Sequence, residues 1–267
     1  MGFIEKVKCA AEKANSLVCV GLDTDIEKIP DCLASEEDAV YRFNEAIIQS
    51  TSDLVCAYKP NSAFYEALGS RGIDTLQKTC DIIPPEIPVI LDIKRGDISN
   101  TAVKYADFAY DLIGADAVTV NPYMGFDAVK PFLRSGKCVF VLCITSNDSA
   151  KDFQFLDTGE GTLYERVAKA SVNWAGEGEI GLVVGATKPE TMRKIRDIAG
   201  DMPILVPGVG AQGGDIEAVI ENCGGKPGLT IINSSRGILY ASKGIDFPEA
   251  ARLSLLDLRN KINQFRK

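Results

Sequence analysis

Eight short apolar runs, each followed by a stretch of helical periodicity, constrain this chain more than any other feature. They lie at 17–22, 54–58, 89–94, 117–121, 139–145, 181–184, 204–206 and 230–233. Runs of this kind are apolar on both faces, the pattern of strands buried in a parallel sheet. Between them, EEDAVYRFNEAIIQS, TAVKYADFAYDLIG and GTLYERVAKASVNWAG place apolar residues at the spacing of one helix face. Parallel neighbours need a crossover, and a helix after each strand supplies it. No linker or low-complexity segment divides the 267 residues. The pattern therefore predicts the α/β class, with a single (β/α)8 TIM barrel domain spanning 1–267. A doubly wound open sheet shares the alternation and is the structural alternative.

A barrel concentrates its chemistry at the C-terminal ends of its strands. Asp23 ends strand one, Lys59 strand two, and Asp92 with Lys94 strand three. Asn121 ends strand four, and Thr145, Ser146 and Asn147 follow strand five. PGVGAQGG (207–214) follows strand seven and SSRG (234–237) strand eight. Within VILDIKRGDISNT (89–101), Asp92 and Lys94 are two apart, on one strand face. Val89, Ile90, Leu91 and Ile93 fill both faces around them, so the charges are expected to be buried. Buried charges persist only when paired and hydrogen-bonded. An alternation Lys59–Asp92–Lys94–Asp97 meets that demand and keeps Lys94 protonated, since nearby opposite charge favours the charged form. An ammonium held this way is a proton donor, not a base. An inert salt-bridge cluster satisfies the same burial argument.

The histidine count is zero, which removes Ser-His triads, histidine-ligated zinc and imidazole proton shuttles together. Acid–base work falls to Lys, Asp, Glu, Tyr or Cys. The eight cysteines form no CxxC pair and are expected as reduced, packed thiols. A net charge of −8 without a Lys/Arg stripe argues against nucleic acid. No apolar run is long enough to span a bilayer, and MGFIEKVKCAAEK interleaves charges as a secretory signal does not. Lys6 breaks the myristoylation pattern. A cytoplasmic location, with no membrane partner, is expected.

An acidic protein binds an anion only by gathering positive charge in a cleft. Gly208, Gly210 and Gly213 form a GxGxxG, but the next strand ends in Asn233, Ser234 and Ser235 without the acidic residue of a dinucleotide site. The loops after strands seven and eight instead match the barrel's frequent phosphate site. There Gly213 and its neighbours would offer backbone N–H groups, Gln212 and Ser235 neutral donors and Arg236 a bidentate contact. A glycine-rich turn required only for packing is the alternative.

At this point the residues resemble the orotidine 5′-phosphate decarboxylase family. Its strand-three motif DxKxxDIxxT reads here as Asp92, Lys94, Asp97, Ile98 and Thr101, in register with Asp23, Lys59, Ser146, PGVGAQGG and Arg236. The insert SNDSAKDFQFLDTGEG and the overall length look like the longer branch of that family. The resemblance implies decarboxylation of orotidine 5′-monophosphate to uridine 5′-monophosphate without a cofactor or metal. It implies that Asp23 and Lys59 hold ribose hydroxyls, that Ser146 contacts the pyrimidine edge, and that Pro207 and Val209 lie near the base. Gln212 and Arg236 would hold the 5′-phosphate, and Lys94 would deliver the proton to C6. Asp97, Ile98 and Thr101 would enter the neighbouring subunit's site, making a homodimer the functional unit. No electron-sink motif is visible, so fixed charge must stabilise the carbanion. Asp92 beside the substrate carboxylate would repel it by about 4 kcal/mol at ~4 Å and an effective dielectric near 20. Two other readings remain. One is the sister group of magnesium-dependent sugar-phosphate decarboxylases and aldolases, which carries Glu where Lys59 stands. The other is a non-catalytic nucleotide-phosphate-binding barrel.

Overall fold

The apolar runs become eight parallel strands: β1 (Val18–Leu22), β2 (Ala57–Pro60), β3 (Ile90–Arg95), β4 (Ala117–Val120), β5 (Cys138–Ile144), β6 (Glu179–Val184), β7 (Ile204–Pro207) and β8 (Thr230–Ser234). They hydrogen-bond in the order β2-β1-β8-β7-β6-β5-β4-β3. Bridges Tyr58–Val89 and Asn61–Asp92 join the two ends, so the sheet closes and the open-sheet alternative fails. The fold is a (β/α)8 TIM barrel. The structure is a computed structural model and describes residues 1–33, 36–174, 176–186, 189–209, 216–224 and 229–266.

Helices follow the strands in chain order. A first helix, α1 (Phe3–Ala14), precedes β1, and α2 (Ala39–Thr51), α3 (Ser62–Glu66), α4 (Ser70–Asp81) and α5 (Ser99–Asp107) fill the first half. The second half carries α6 (Phe126–Val129), α7 (Leu163–Asn173), α8 (Pro189–Ala199), α9 (Ile216–Val219), α10 (Arg236–Leu239) and α11 (Phe247–Phe265). Each long helix turns one apolar stripe inward. In α2 that stripe is Val40, Phe43, Ile47 and Ile48, all buried.

The two poles of the barrel differ. At the N-terminal end of the strands α1 acts as a plug. Phe3 meets Phe140 edge-on at 5.6 Å, Ile4 N–H donates to Glu179 at 2.8 Å, and Lys6 pairs with Asp116 at 2.8 Å. Asp116 also accepts the Val89 amide at 2.9 Å, tying the plug to the start of β3. The opposite pole is left for chemistry, as the fold requires.

Two strand boundaries depart from the sequence expectation. Leu54 closes a 3₁₀ turn, Ser52–Leu54, and β2 begins at Ala57, opposite Cys19. Lys59 therefore lies one residue before the end of β2. Burial of Leu54, Val55 and Cys56 made these residues read as strand, although ladder pairing starts later. In β3 the regular alternation fails after Leu91, where the register against β4 shifts. Lys94 there adopts φ +43°, a left-handed conformation that costs a non-glycine residue about 1–2 kcal/mol.

Candidate active site

The strand ends named above converge on a cavity of about 250 Å³ at the C-terminal mouth. Asp23, Lys59, Asp92, Lys94 and Ser146 line it from one side, with Pro207, Val209, Ser235 and Arg236 completing the rim. Its ionic centre is Asp92, which β3 delivers into the buried interior of the mouth. One carboxylate oxygen accepts the Lys59 ammonium at 2.9 Å, and the other accepts Lys94 at 2.7 Å. The Thr119 hydroxyl, from β4, donates to that second oxygen at 2.7 Å and accepts the Lys94 amide at 3.0 Å. The bulge thus has a purpose. It folds Lys94 back onto Asp92 and leaves the lysine side chain about half exposed (49%) to the cavity, while Lys59 is 4% exposed.

Burial works against ionisation of Asp92, but the charges of Lys59 and Lys94 and three donated hydrogen bonds outweigh it and hold the carboxyl well below the usual carboxylate range. Burial likewise opposes the Lys59 ammonium, and Asp23 and Asp92 together overcome it, raising Lys59 above the usual lysine range. Both directions favour the ion pair. A carboxylate depressed on folding contributes stability that is complete above its ordinary value, 3.8, and lost as pH falls through the folded one. The raised Lys59 contributes fully below the ordinary lysine value of about 10.4. Unfolding free energy, followed by urea midpoints at stepped pH, is therefore expected to fall below about pH 4. Asp92→Asn should flatten that acid limb.

The expected alternation ended in Asp97, and within one chain it does not. The series reads Asp23–Lys59–Asp92–Lys94, with Asp23 Oδ1 3.7 Å from the Lys59 ammonium. The Asp97 carboxylate accepts the Ile98 amide at 2.8 Å. Asp97 lies past the bulge in β3, and among the described residues no ion pair joins it to Lys94. Ile98 is 54% exposed, and Thr101 is exposed in the first turn of α5.

After β5, Gln154 clamps the turn that presents Ser146. Its side chain accepts the Thr145 amide at 2.9 Å and donates to the Thr145 hydroxyl at 2.8 Å. At the anion end, Pro207 closes β7, and Val209 lines the cavity while buried from solvent. Gln212, Gly213 and Gly210 lie outside the described residues. Ser235 and Arg236 leave β8 side by side, and the Ser235 hydroxyl donates to Asp23 Oδ2 at 2.8 Å. Sequence reasoning missed Thr119 and Asn233, both buried and both on the cavity wall. The signal for Thr119 was a lone polar residue in the buried strand AVTV, and for Asn233 a polar end to the buried strand TIINS.

The chain was compared with known proteins. Residues 16–246 match the model of the orotidine 5′-phosphate decarboxylase / HUMPS family. The orotidine 5′-phosphate decarboxylase of Ralstonia pickettii is 48% identical over 272 residues, covering 100% of both chains. That of Dechloromonas aromatica is 50% identical over 273 residues, again covering 100% of both. Among solved structures, OMP decarboxylase of Leishmania donovani superposes with a TM-score of 0.85 at 36% identity, covering 100% of this chain and 99% of that one.

Proposed function

This chain belongs to the orotidine 5′-phosphate decarboxylase / HUMPS family, and as an enzyme of that family it converts orotidine 5′-monophosphate to uridine 5′-monophosphate; we propose that it does so without a cofactor, by fixed charge alone. The observation that carries the proposal is the ionic series Asp23–Lys59–Asp92–Lys94, whose inner members Lys59 and Asp92 are buried and whose last member is about half exposed. Loss of carbon dioxide from C6 leaves an electron pair that the ring does not delocalise. A preorganised ammonium aimed at that position stabilises the developing charge and then neutralises it by proton transfer. Lys94 is that group. Asp92 orients it and, facing the substrate carboxylate, adds a repulsion that departure of carbon dioxide relieves. Binding energy from the remote phosphate offsets this strain.

The family resemblance supports the other roles, and Asp23, Lys59, Ser146, Pro207, Val209 and Arg236 all line the cavity. Asp23 and Lys59 meet the ribose hydroxyls, Ser146 the pyrimidine edge, and Pro207 and Val209 the base. Arg236, with Gln212 and Gly213, takes the 5′-phosphate, whereas the Ser235 hydroxyl, expected from the sequence to join them, donates to Asp23. Asp97 with the exposed Ile98 and Thr101 completes the site of a second copy, so the working unit is a homodimer. Among the described residues no helix is long and apolar enough to cross a membrane. Eight free thiols, six of them buried, suit the reducing cytoplasm.

The sister reading of a magnesium-dependent sugar-phosphate enzyme is disfavoured by Lys59, which fills the β2 position with a cation where that group needs a carboxylate. Decay of substrate absorbance should proceed equally with EDTA or added magnesium. Activity lost to the chelator and restored by magnesium would move the chain to the sister group.

A further inference from the structure

The backbone around Asp23 is held on every side. Leu22 C=O accepts the Tyr65 hydroxyl at 3.0 Å, and Thr24 donates to Asn44 at 2.6 Å. The Asn44 amide in turn donates to Tyr65 and Thr79 at 3.0 and 3.1 Å. Tyr240 donates its hydroxyl to Asp23 C=O at 3.2 Å and accepts the Asp25 amide at 2.8 Å. Only the carboxylate torsion remains to be set. One oxygen, Oδ2, accepts Ser235 at 2.8 Å. The other, Oδ1, is buried with no hydrogen-bond partner and stops 3.7 Å short of the Lys59 ammonium.

A buried carboxylate oxygen left unpaired beside an ammonium is costly, and a small rotation would close the gap. Ser235 opposes that rotation. Asn233 Nδ2 approaches Ser235 Oγ at 3.4 Å, which uses the oxygen as acceptor and leaves its proton for Asp23. Gly21 makes the approach possible, because a Cβ there would fall 2.0 Å from Ser235 Oγ.

We propose that Ser235 is a positioning residue that holds Asp23 Oδ2 and so keeps Oδ1 off Lys59 and unpaired in the cavity wall, as a ready acceptor for a ligand hydroxyl. This rests on the ribose role given to Asp23 above. Because Ser235 directly precedes Arg236, a single two-residue step fixes the acceptor for the sugar and the cation for the phosphate relative to one another. The phosphate-binding arginine and the hydroxyl-binding carboxylate are then parts of one rigid unit.

Calorimetric titration with uridine 5′-monophosphate tests this on the full-length protein. Ser235→Ala should weaken binding about tenfold. In an Asp23→Ala background the same change should matter less than about twofold, because the serine acts through that carboxylate. With 2′,3′-dideoxyuridine 5′-monophosphate, which has no hydroxyl to offer, Ser235→Ala should again matter less than about twofold. Gly21→Ala, which displaces the serine from a different strand, should reproduce the tenfold loss and serves if Ser235→Ala does not fold. An undiminished loss in the Asp23→Ala background, or none in the unmodified one, overturns the proposal. Failure of the unmodified protein to bind uridine 5′-monophosphate would overturn the nucleotide reading itself, and is distinct from either result.

Discussion

Lys94→Ala should abolish turnover, lowering kcat by about 10⁴-fold or more, while the protein still folds and binds uridine 5′-monophosphate. The size follows from two effects lost together, proton delivery and stabilisation of the carbanion, each worth about two to four powers of ten. Folding should survive for structural reasons. Asp92 keeps Lys59 at 2.9 Å and Thr119 at 2.7 Å, so no buried charge is stranded. Alanine retains a Cβ, leaving the left-handed backbone at residue 94 neither relieved nor worsened. Product has no carboxylate, so its affinity should change far less than the rate. Steady-state assays alongside product titration check both parts. A variant that retained turnover would remove Lys94 from the proton transfer.

The second large effect concerns assembly. Asp97→Ala should be nearly inactive alone, and so should Lys94→Ala, yet mixing the two after mild dissociation should restore about a quarter of the unmodified rate. In the mixed dimer one site holds both defects and the other holds none. Random pairing makes half the dimers mixed, and half their sites intact. The exposed apolar side chains beside the Asp97 segment favour such a partner. Ile98 is 54%, Tyr123 87% and Met124 49% exposed, and the Asn121 amide joins the two loops by donating to Arg95 C=O at 2.7 Å. Mixing that restored nothing would place Asp97 in the service of its own chain.

The barrel was legible because each strand is buried on both faces, which writes its position into the sequence as an uninterrupted apolar run. The ionic residues were legible for the converse reason. Lys59 is the one charge in β2, and Asp92 stands among apolar residues in the buried first half of β3. What stayed hidden was conformational. The residue in the left-handed region is a lysine, so no glycine marked the bulge that folds Lys94 onto Asp92. Without the bulge, Asp97 looked like the natural end of the charge series, when Asp23, far away in sequence, takes a place beside Lys59. The Ser235–Asp23 contact spans 212 positions, and only closure of β8 against β1 brings it about. Gly21 foreshadowed it, but a lone glycine in a buried strand has many explanations.

The central claim is that this charged mouth performs chemistry on a nucleotide and does not merely hold one. The most direct measurement is carbon dioxide released from carboxyl-labelled orotidine 5′-monophosphate by purified protein in the presence of EDTA. Carbon dioxide and uridine 5′-monophosphate are expected in equal amounts over many turnovers. Tight binding of uridine 5′-monophosphate with no release of carbon dioxide would contradict it.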